Sequence, residues 1–201
     1  MFVTLEGPEG AGKSSVIRML SAHLESLGQA TLVTREPGDG SLGRRIREIL
    51  LGGGQIDPKA ELFLFLADRA QHVEDVIRPA LREGKTVLCD RYIDSTVAYQ
   101  GYGRKFDIEL LRSWNRFSTA GLMPDLTILL DIESDQGLSR VENKDRLDSE
   151  PLEFHQAVRQ GFLCEAKLDP GRWILIDASA SLEQVTKATI IAVLERQARI
   201  T

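Results

Sequence analysis

Gly7-Pro8-Glu9-Gly10-Ala11-Gly12-Lys13-Ser14 is the stretch on which the reading of this chain turns. It satisfies GxxxxGK[ST] in full, follows directly on the apolar run Phe2 to Glu6, and opens an amphipathic stretch from Lys13 to Leu27. A strand, a glycine-rich turn and a helix in that order make a phosphate-binding loop (P-loop). The glycines let successive backbone amides curl around phosphate oxygens at the positive end of the helix dipole. Lys13 is placed to reach the β and γ oxygens of a nucleoside triphosphate, and Ser14 to ligate Mg²⁺. Gly7, Pro8, Glu9, Gly10, Ala11, Gly12, Lys13, Ser14 and Ser15 are the expected nucleotide-binding residues.

Outward from the loop, short apolar runs alternate with longer amphipathic ones. The expected strands are Phe2 to Glu6, Ala30 to Thr34, Thr86 to Asp90, Leu126 to Asp131 and Trp173 to Asp177. The expected helices are Lys13 to Leu27, Leu42 to Leu51, Pro58 to Leu81, Ile108 to Thr119, Pro151 to Leu168 and Leu182 to Gln197. Asp57-Pro58 supplies an N-cap followed by proline at the first helical position, and Ser181 with Gln184 has capping-box spacing. Nearly continuous apolar strands separated by helices predict an α/β fold. Its core is a doubly wound, five-stranded parallel sheet with flanking helices, and ligands bind at the carboxyl ends of the strands.

Composition narrows the class. The 201 residues are 42% hydrophobic, enough for one well-filled domain over residues 1–201. With 25 Lys and Arg against 30 Asp and Glu, the net charge of −5 argues against a general nucleic-acid binder, which needs a broad basic face. No apolar run is long enough for a membrane span, and Glu6 and Glu9 near the N-terminus are unlike a signal or transit peptide, so a cytoplasmic protein is expected. Cys89 and Cys164 lie far apart without a CxxC neighbour, which predicts two buried free thiols. His23, His72 and His155 have neither metal-ligand spacing nor a nucleophile partner and read as structural.

The strand ending in Asp90 puts a carboxylate where it can hold Mg²⁺, with Arg91 next to it at the mouth of the site. A guanidinium there can bridge donor and acceptor phosphates as charge is redistributed. A GTPase would carry DxxG at this point, whereas Asp90-Arg91-Tyr92-Ile93 lacks the glycine. Asn143-Lys144-Asp145 fails the NKxD spacing because Arg146 stands fourth. The charged stretch Glu133 to Glu150 reads either as a solvated loop or as a short lid over phosphates.

Together with the P-loop, Thr34-Arg35-Glu36-Pro37-Gly38, Phe65-Leu66-Ala67-Asp68-Arg69-Ala70-Gln71-His72, Asp90-Arg91-Tyr92 and Asp94 to Gly101 occur in an order that resembles the thymidylate kinases. The resemblance covers essentially the whole chain. It implies phosphorylation of dTMP to dTDP with ATP and Mg²⁺, supplying dTTP for DNA synthesis, by a homodimer. It further implies that Glu36 lies near the acceptor phosphate, that Arg47 grips it, and that Phe65 stacks on thymine while Arg69 donates to a ring carbonyl. Ser95, Thr96 and Gln100 would complete the base pocket, and Tyr99 would crowd a 2′-hydroxyl. The expected catalytic set is Lys13, Arg91, Arg140 and Arg146, with Ser14 and Asp90 on the metal. The sequence departs from the family at Gly38-Asp39-Gly40, where Asp39 either faces the phosphate or serves only the turn. It also carries Glu9 without a basic neighbour, which shifts the cationic role to Arg140, Lys144 and Arg146 in the lid segment, residues 133–150.

Overall fold

The computed structural model describes residues 1–52 and 54–200. Five parallel strands, β1 (Phe2–Glu6), β2 (Thr31–Arg35), β3 (Thr86–Asp90), β4 (Leu126–Asp131) and β5 (Trp173–Asp177), lie in the order β2-β3-β1-β4-β5. The central strands β1, β3 and β4 are buried almost throughout, while the edge strands β2 and β5 are half open. This matches their runs of Val, Leu and Ile, since a strand covered on both faces needs no polar alternation. One face of the sheet carries α1 (Lys13–Ser26) and α9 (Leu182–Ile200), packed through Val16, Ile17, Leu20, Val185 and Val193. On the other face, the continuation of α3 (Pro58–His72) covers β1 and β3 through Val73, Ile77 and Ala80, and α8 (Leu152–Leu168) covers β4 and β5.

Both expected caps form. The Asp57 carboxylate accepts from the Lys59 amide at 2.9 Å, and Ser181 and Gln184 exchange backbone-to-side-chain bonds at 3.1 and 3.3 Å. Strand β2 sits one residue later than expected, because Thr31 to Arg35 register against Thr86 to Asp90. That shift brings Arg35 to the carboxyl edge.

The stretch expected as one helix from Pro58 to Leu81 is interrupted. A π-helical turn at Val73–Ile77 separates α3 from α4 (Arg78–Arg82). Pro79 has no amide to donate, so the ladder widens just before it. Residues after β3, without an expected element, form α5 (Ile93–Thr96) running into a second π-helical stretch, Val97–Gly103. The remaining elements are α2 (Gly40–Leu51), α6 (Ile108–Ser118) and α7 (Ser134–Ser139), the last inside the charged lid segment. Cys89 is buried as expected, but Cys164, on the half-covered side of α8, is only partly so; both are free.

Candidate active site

The carboxyl ends of β1, β2 and β3 open into one cavity of 360 Å³. Strand order puts β1 between β3 and β4, so the P-loop after β1 and Asp90 at the end of β3 face each other across the strand ends. Ser14 Oγ donates to Asp90 Oδ2 at 2.6 Å. Within the loop, Gly10 has φ +69°, and a Cβ there would stand 1.9 Å from the Gly137 carbonyl oxygen. Reciprocally, a Cβ on Gly137 would meet the Glu9 carbonyl oxygen at 2.2 Å. The P-loop and α7 therefore touch backbone to backbone, so the first third of the lid segment is docked on the loop.

Lys13 is buried, and its ammonium donates to the carbonyls of Gly7 and Pro8 at 3.0 and 2.8 Å. Burial, with the Arg91 charge, lowers its pKa to about 8. Arg91, held at φ +70°, donates to Glu9 at 2.8 Å, to the Gly7 carbonyl at 3.1 Å and to Ser95 at 3.2 Å. Its guanidinium also lies 5.0 Å above the Tyr99 ring. Burial alone would raise the Glu9 carboxyl, but Arg91, Lys13 and the Tyr99 hydroxyl bonded to it outweigh that and hold it at about 2. Tyr99 is wedged edge-on against Phe154 and Phe162, with ring centroids 6.1 and 6.2 Å away.

At the other end of the cavity Arg69 is the hub. It is 2% exposed and donates to Glu36 at 2.8 Å, Thr96 and Asn115 at 2.7 Å each, and the Tyr92 carbonyl at 3.0 Å. Read alone it would be a surface residue; the fold buries it because acceptors from α5, α6 and the connections after β2 and β3 converge on it. Phe65, one helical turn earlier on α3, is half-buried and lines the cavity beside it. Gln100 is buried, its Nε2 donating to Glu61 at 2.9 Å. Beneath the floor, Glu6 accepts from the Tyr92 amide at 2.8 Å and from Ser95 at 2.6 Å, fixing the turn that carries Arg91. Burial, and after it the nearby Asp94 charge, raises the Glu6 pKa to about 8.

Of the residues expected from sequence, Glu9, Gly10, Gly12, Lys13, Ser14, Ser15, Glu36, Arg47, Phe65, Arg69, Asp90, Arg91, Ser95, Thr96, Tyr99 and Gln100 line this one cavity. Gly7, Pro8 and Ala11 shape the loop from behind. The arginines of the segment expected as a lid, residues 133–150, lie outside this cavity. Arg140 donates to the Ala178 carbonyl at 3.0 Å, and Arg146 is held by the Leu50 carbonyl at 2.8 Å and Glu61 at 2.6 Å. Lys144 is exposed in a second hollow beside Arg104. Asp145 and Leu147 are the lid residues that reach the central cavity.

Sequence reasoning missed three contributors. Arg35 lines the cavity with Arg47, and its charge, after burial, lowers the Arg47 pKa. Two guanidiniums held this close make an anion site; the available signal was Arg35 at a strand end, obscured by the one-residue shift of β2. His72 bridges Glu36 at 2.9 Å and Thr34 at 2.6 Å. Burial would lower its pKa, but the bond and charge of Glu36 prevail and raise it. Its spacing of three from Arg69 puts both on the Glu36 side of α3. Asp68 is buried and accepts from the Gly38 amide at 3.3 Å, steadying the turn after β2; burial and Glu36 raise its pKa to about 6. Asp39 serves that turn too: it accepts from the Gly40 amide at 2.7 Å and from the Thr34 hydroxyl.

A parallel sheet with a P-loop at its carboxyl edge, leading into a cation-lined cavity with an aromatic–guanidinium end, defines a P-loop nucleotide-binding enzyme. Residues 5–189 match the family model described as Thymidylate kinase. A thymidylate kinase of Desulfovibrio desulfuricans is 51% identical, the match covering 99% of each chain. One of Cutibacterium acnes is 47% identical over 94% of this chain and 93% of its own. The crystal structure of thymidylate kinase from Ehrlichia chaffeensis resembles this fold with a TM-score of 0.82 at 32% identity, covering 96% of this chain and 98% of that one. The chain belongs to the thymidylate kinase family.

Proposed function

We propose that the cavity transfers the γ-phosphoryl group of ATP to dTMP, giving ADP and dTDP. The observation that carries this is one continuous cavity joining the P-loop and Asp90 to Arg35, Arg47 and Arg91, and these to Phe65, Arg69 and Gln100. It offers a triphosphate cradle, a second anion site and a flat planar-ring site in that order, as a nucleotide-to-nucleotide transfer needs.

In the transfer, an oxygen of the dTMP phosphate bonds to the γ phosphorus while the bond to the β–γ bridging oxygen breaks. No covalent enzyme intermediate is required, so positioning and charge stabilisation supply the rate. Arg35 and Arg47 hold the acceptor phosphate, and Arg91 lies between it and the P-loop. Lys13 exchanges the carbonyls of Gly7 and Pro8 for β and γ oxygens. The oxygen donors Ser14 and Asp90 suit Mg²⁺, which takes few protein ligands and several phosphate and water oxygens. When bound, Mg²⁺ neutralises charge on the donor phosphates. The lid arginines Arg140 and Arg146 would join the phosphates only by leaving Ala178 and Glu61.

Tyr99, immobilised by Phe154, Phe162 and Glu9, faces the sugar and disfavours a 2′-hydroxyl. Supply of dTDP, and through it dTTP, follows from the reaction. Leu110, Trp114 and Phe117 recur at i, i+4 and i+7 on α6, and the Trp114 ring lies 5.4 Å from that of exposed Phe63 on α3. This apolar stripe supports a homodimer, which sedimentation of the purified protein would test. Among the described residues no helix is long and apolar enough to cross a membrane. The reading of a cytoplasmic enzyme acting on a small molecule rests on the family to which the chain belongs. Release of ADP from ATP and Mg²⁺ on adding dTMP, set against other monophosphates, thymidine and an EDTA control, tests the reaction. Turnover of dTMP no better than that of dCMP or thymidine would reject it.

A further inference from the structure

Glu61, in the first turn of α3, is fully buried and reaches no expected substrate position, yet four donor contacts converge on it. Gln100 Nε2 donates to Oε1 at 2.9 Å, Arg104 to both oxygens at 3.3 and 3.2 Å, and Arg146 to Oε2 at 2.6 Å. Burial raises the carboxyl pKa, but the two guanidiniums and the amide outweigh it and lower it. An ionised carboxylate only accepts hydrogen bonds, so the Gln100 atom facing it must be the amide nitrogen. Among the described residues Gln100 Oε1 takes no hydrogen bond, and Gln100 lines the cavity. An acceptor is therefore presented to the ligand.

Arg69 supplies the complement. Of its five N–H groups, Nε bonds Glu36, both on Nη1 bond Thr96 and Asn115, and one on Nη2 bonds Tyr92, leaving one donor. A donor beside an acceptor matches the O4 acceptor and N3–H donor of thymine. Cytosine presents the inverse edge, an amino donor beside a ring acceptor.

We propose that Glu61 is a positioning residue for base selection: by fixing the amide of Gln100 with its oxygen toward the pyrimidine, it makes the cavity reject cytosine. This rests on the reading above that Gln100 and Arg69 face the base. A neutral partner at position 61 can donate or accept, so the Gln100 amide is free to turn over and satisfy either edge.

The test is kcat/KM for dTMP and for dCMP in Glu61→Gln and in Gln100→Ala, with ATP saturating. Glu61→Gln is expected to lower the dTMP/dCMP ratio by about tenfold or more, the worth of a hydrogen bond to a buried polar group. Loss of packing or of the Arg146 anchor would lower both substrates together and leave the ratio unchanged. An unchanged ratio in folded Glu61→Gln, with a reduced one in Gln100→Ala, overturns the role of Glu61 and keeps the base reading. An unchanged ratio in Gln100→Ala overturns both. Should Glu61→Gln fail to fold, the side-chain amide of Gln100 in ¹⁵N-labelled wild-type protein decides. Its protons should be protected from exchange both with and without dTMP, and protection arising only on dTMP binding overturns the proposal.

Discussion

The two ends of the cavity are built on opposite terms. At the base end, Arg69 spends four bonds on fixed protein acceptors, and Glu36 and Thr96 are buried with it. At the phosphate end, Lys13 and Arg91 are bonded to groups of the P-loop itself: the carbonyls of Gly7 and Pro8, and Glu9. The first set does not need to change when a nucleotide binds, because the free donor and acceptor are already aimed. The second set has to exchange partners, since the same cations must reach phosphate oxygens. On the roles proposed for these residues, recognition of the base is preorganised, whereas the charge that stabilises transfer is stored on internal stand-ins until ligand arrives.

The sharpest way to break this contrast is Arg69→Ala. Removing a guanidinium from a fully buried pair leaves Glu36 with His72 alone and strands the acceptors on Thr96, Asn115 and Tyr92. A loss of about 3–5 kcal/mol in folding stability is expected, measured by urea unfolding, alongside a raised KM for dTMP. A stability loss near zero would show that the base end is not the rigid part. Lys13→Ala is expected to do the reverse. Its carbonyl partners can turn to solvent or phosphate, so stability changes little, while kcat falls by roughly 10²–10³. A single-turnover assay beside the same unfolding curve separates the two outcomes.

The pH dependence follows from the same stored charge. Lys13 titrates at about 8 in the free protein because burial and Arg91 disfavour the ammonium. Its charge is complete below that value and lost as pH rises through it, so ATP affinity should weaken from about pH 8 upward. The Glu9 carboxyl, at about 2, stays ionised across the whole range and contributes no such limb. Isothermal titration with ATP at successive pH values would show the fall. A flat profile up to pH 10 would mean either that Lys13 keeps its charge throughout or that it is not the group receiving phosphate, and the Lys13→Ala variant separates the two.

How much of this was legible depended on whether a residue's role lies in its own neighbourhood or in the topology. The P-loop, the five strands and the cap at Asp57 are local patterns, and the sheet keeps them with shifts of a residue or so. Arg69 read alone as a surface residue, because nothing within a helical turn shows that Asn115 and Thr96 will fold onto it. Glu61 was invisible for the same reason: its partners Gln100, Arg104 and Arg146 lie 39, 43 and 85 residues away. The π-helical stretch carrying Tyr99 and Gln100 leaves no apolar period to read, and such stretches gather at functional sites because they re-aim side chains. The lid cations were legible as charge but not as placement, since Arg140 and Arg146 are claimed by Ala178 and Glu61.

The smallest expected effect concerns the departure at Asp39, which lies at the boundary between the two ends. Asp39 lines a separate, third hollow with Arg47, Ser14 and Asp90, where an unengaged acid would repel phosphate. Both of its oxygens are already committed, one to the Gly40 amide and the other to the Thr34 hydroxyl, which also bonds His72 and through it Glu36. Asp39 therefore belongs with the fixed base end, tying the start of α2 to β2. Asp39→Ala should cost about 1 kcal/mol as a lost helix cap and leave the KM for dTMP within twofold, by roughly the scatter of a surface change. Asp39→Asn keeps the cap bond to the Gly40 amide, removes the charge and puts an amide donor where the second oxygen accepted from Thr34, so its stability cost should stay below that of Asp39→Ala and the KM should not change. If Asp39→Asn instead lowers the KM severalfold, the acid acts on the acceptor phosphate, and the division between fixed and exchanging groups has to be redrawn to place Asp39 with the cations it faces.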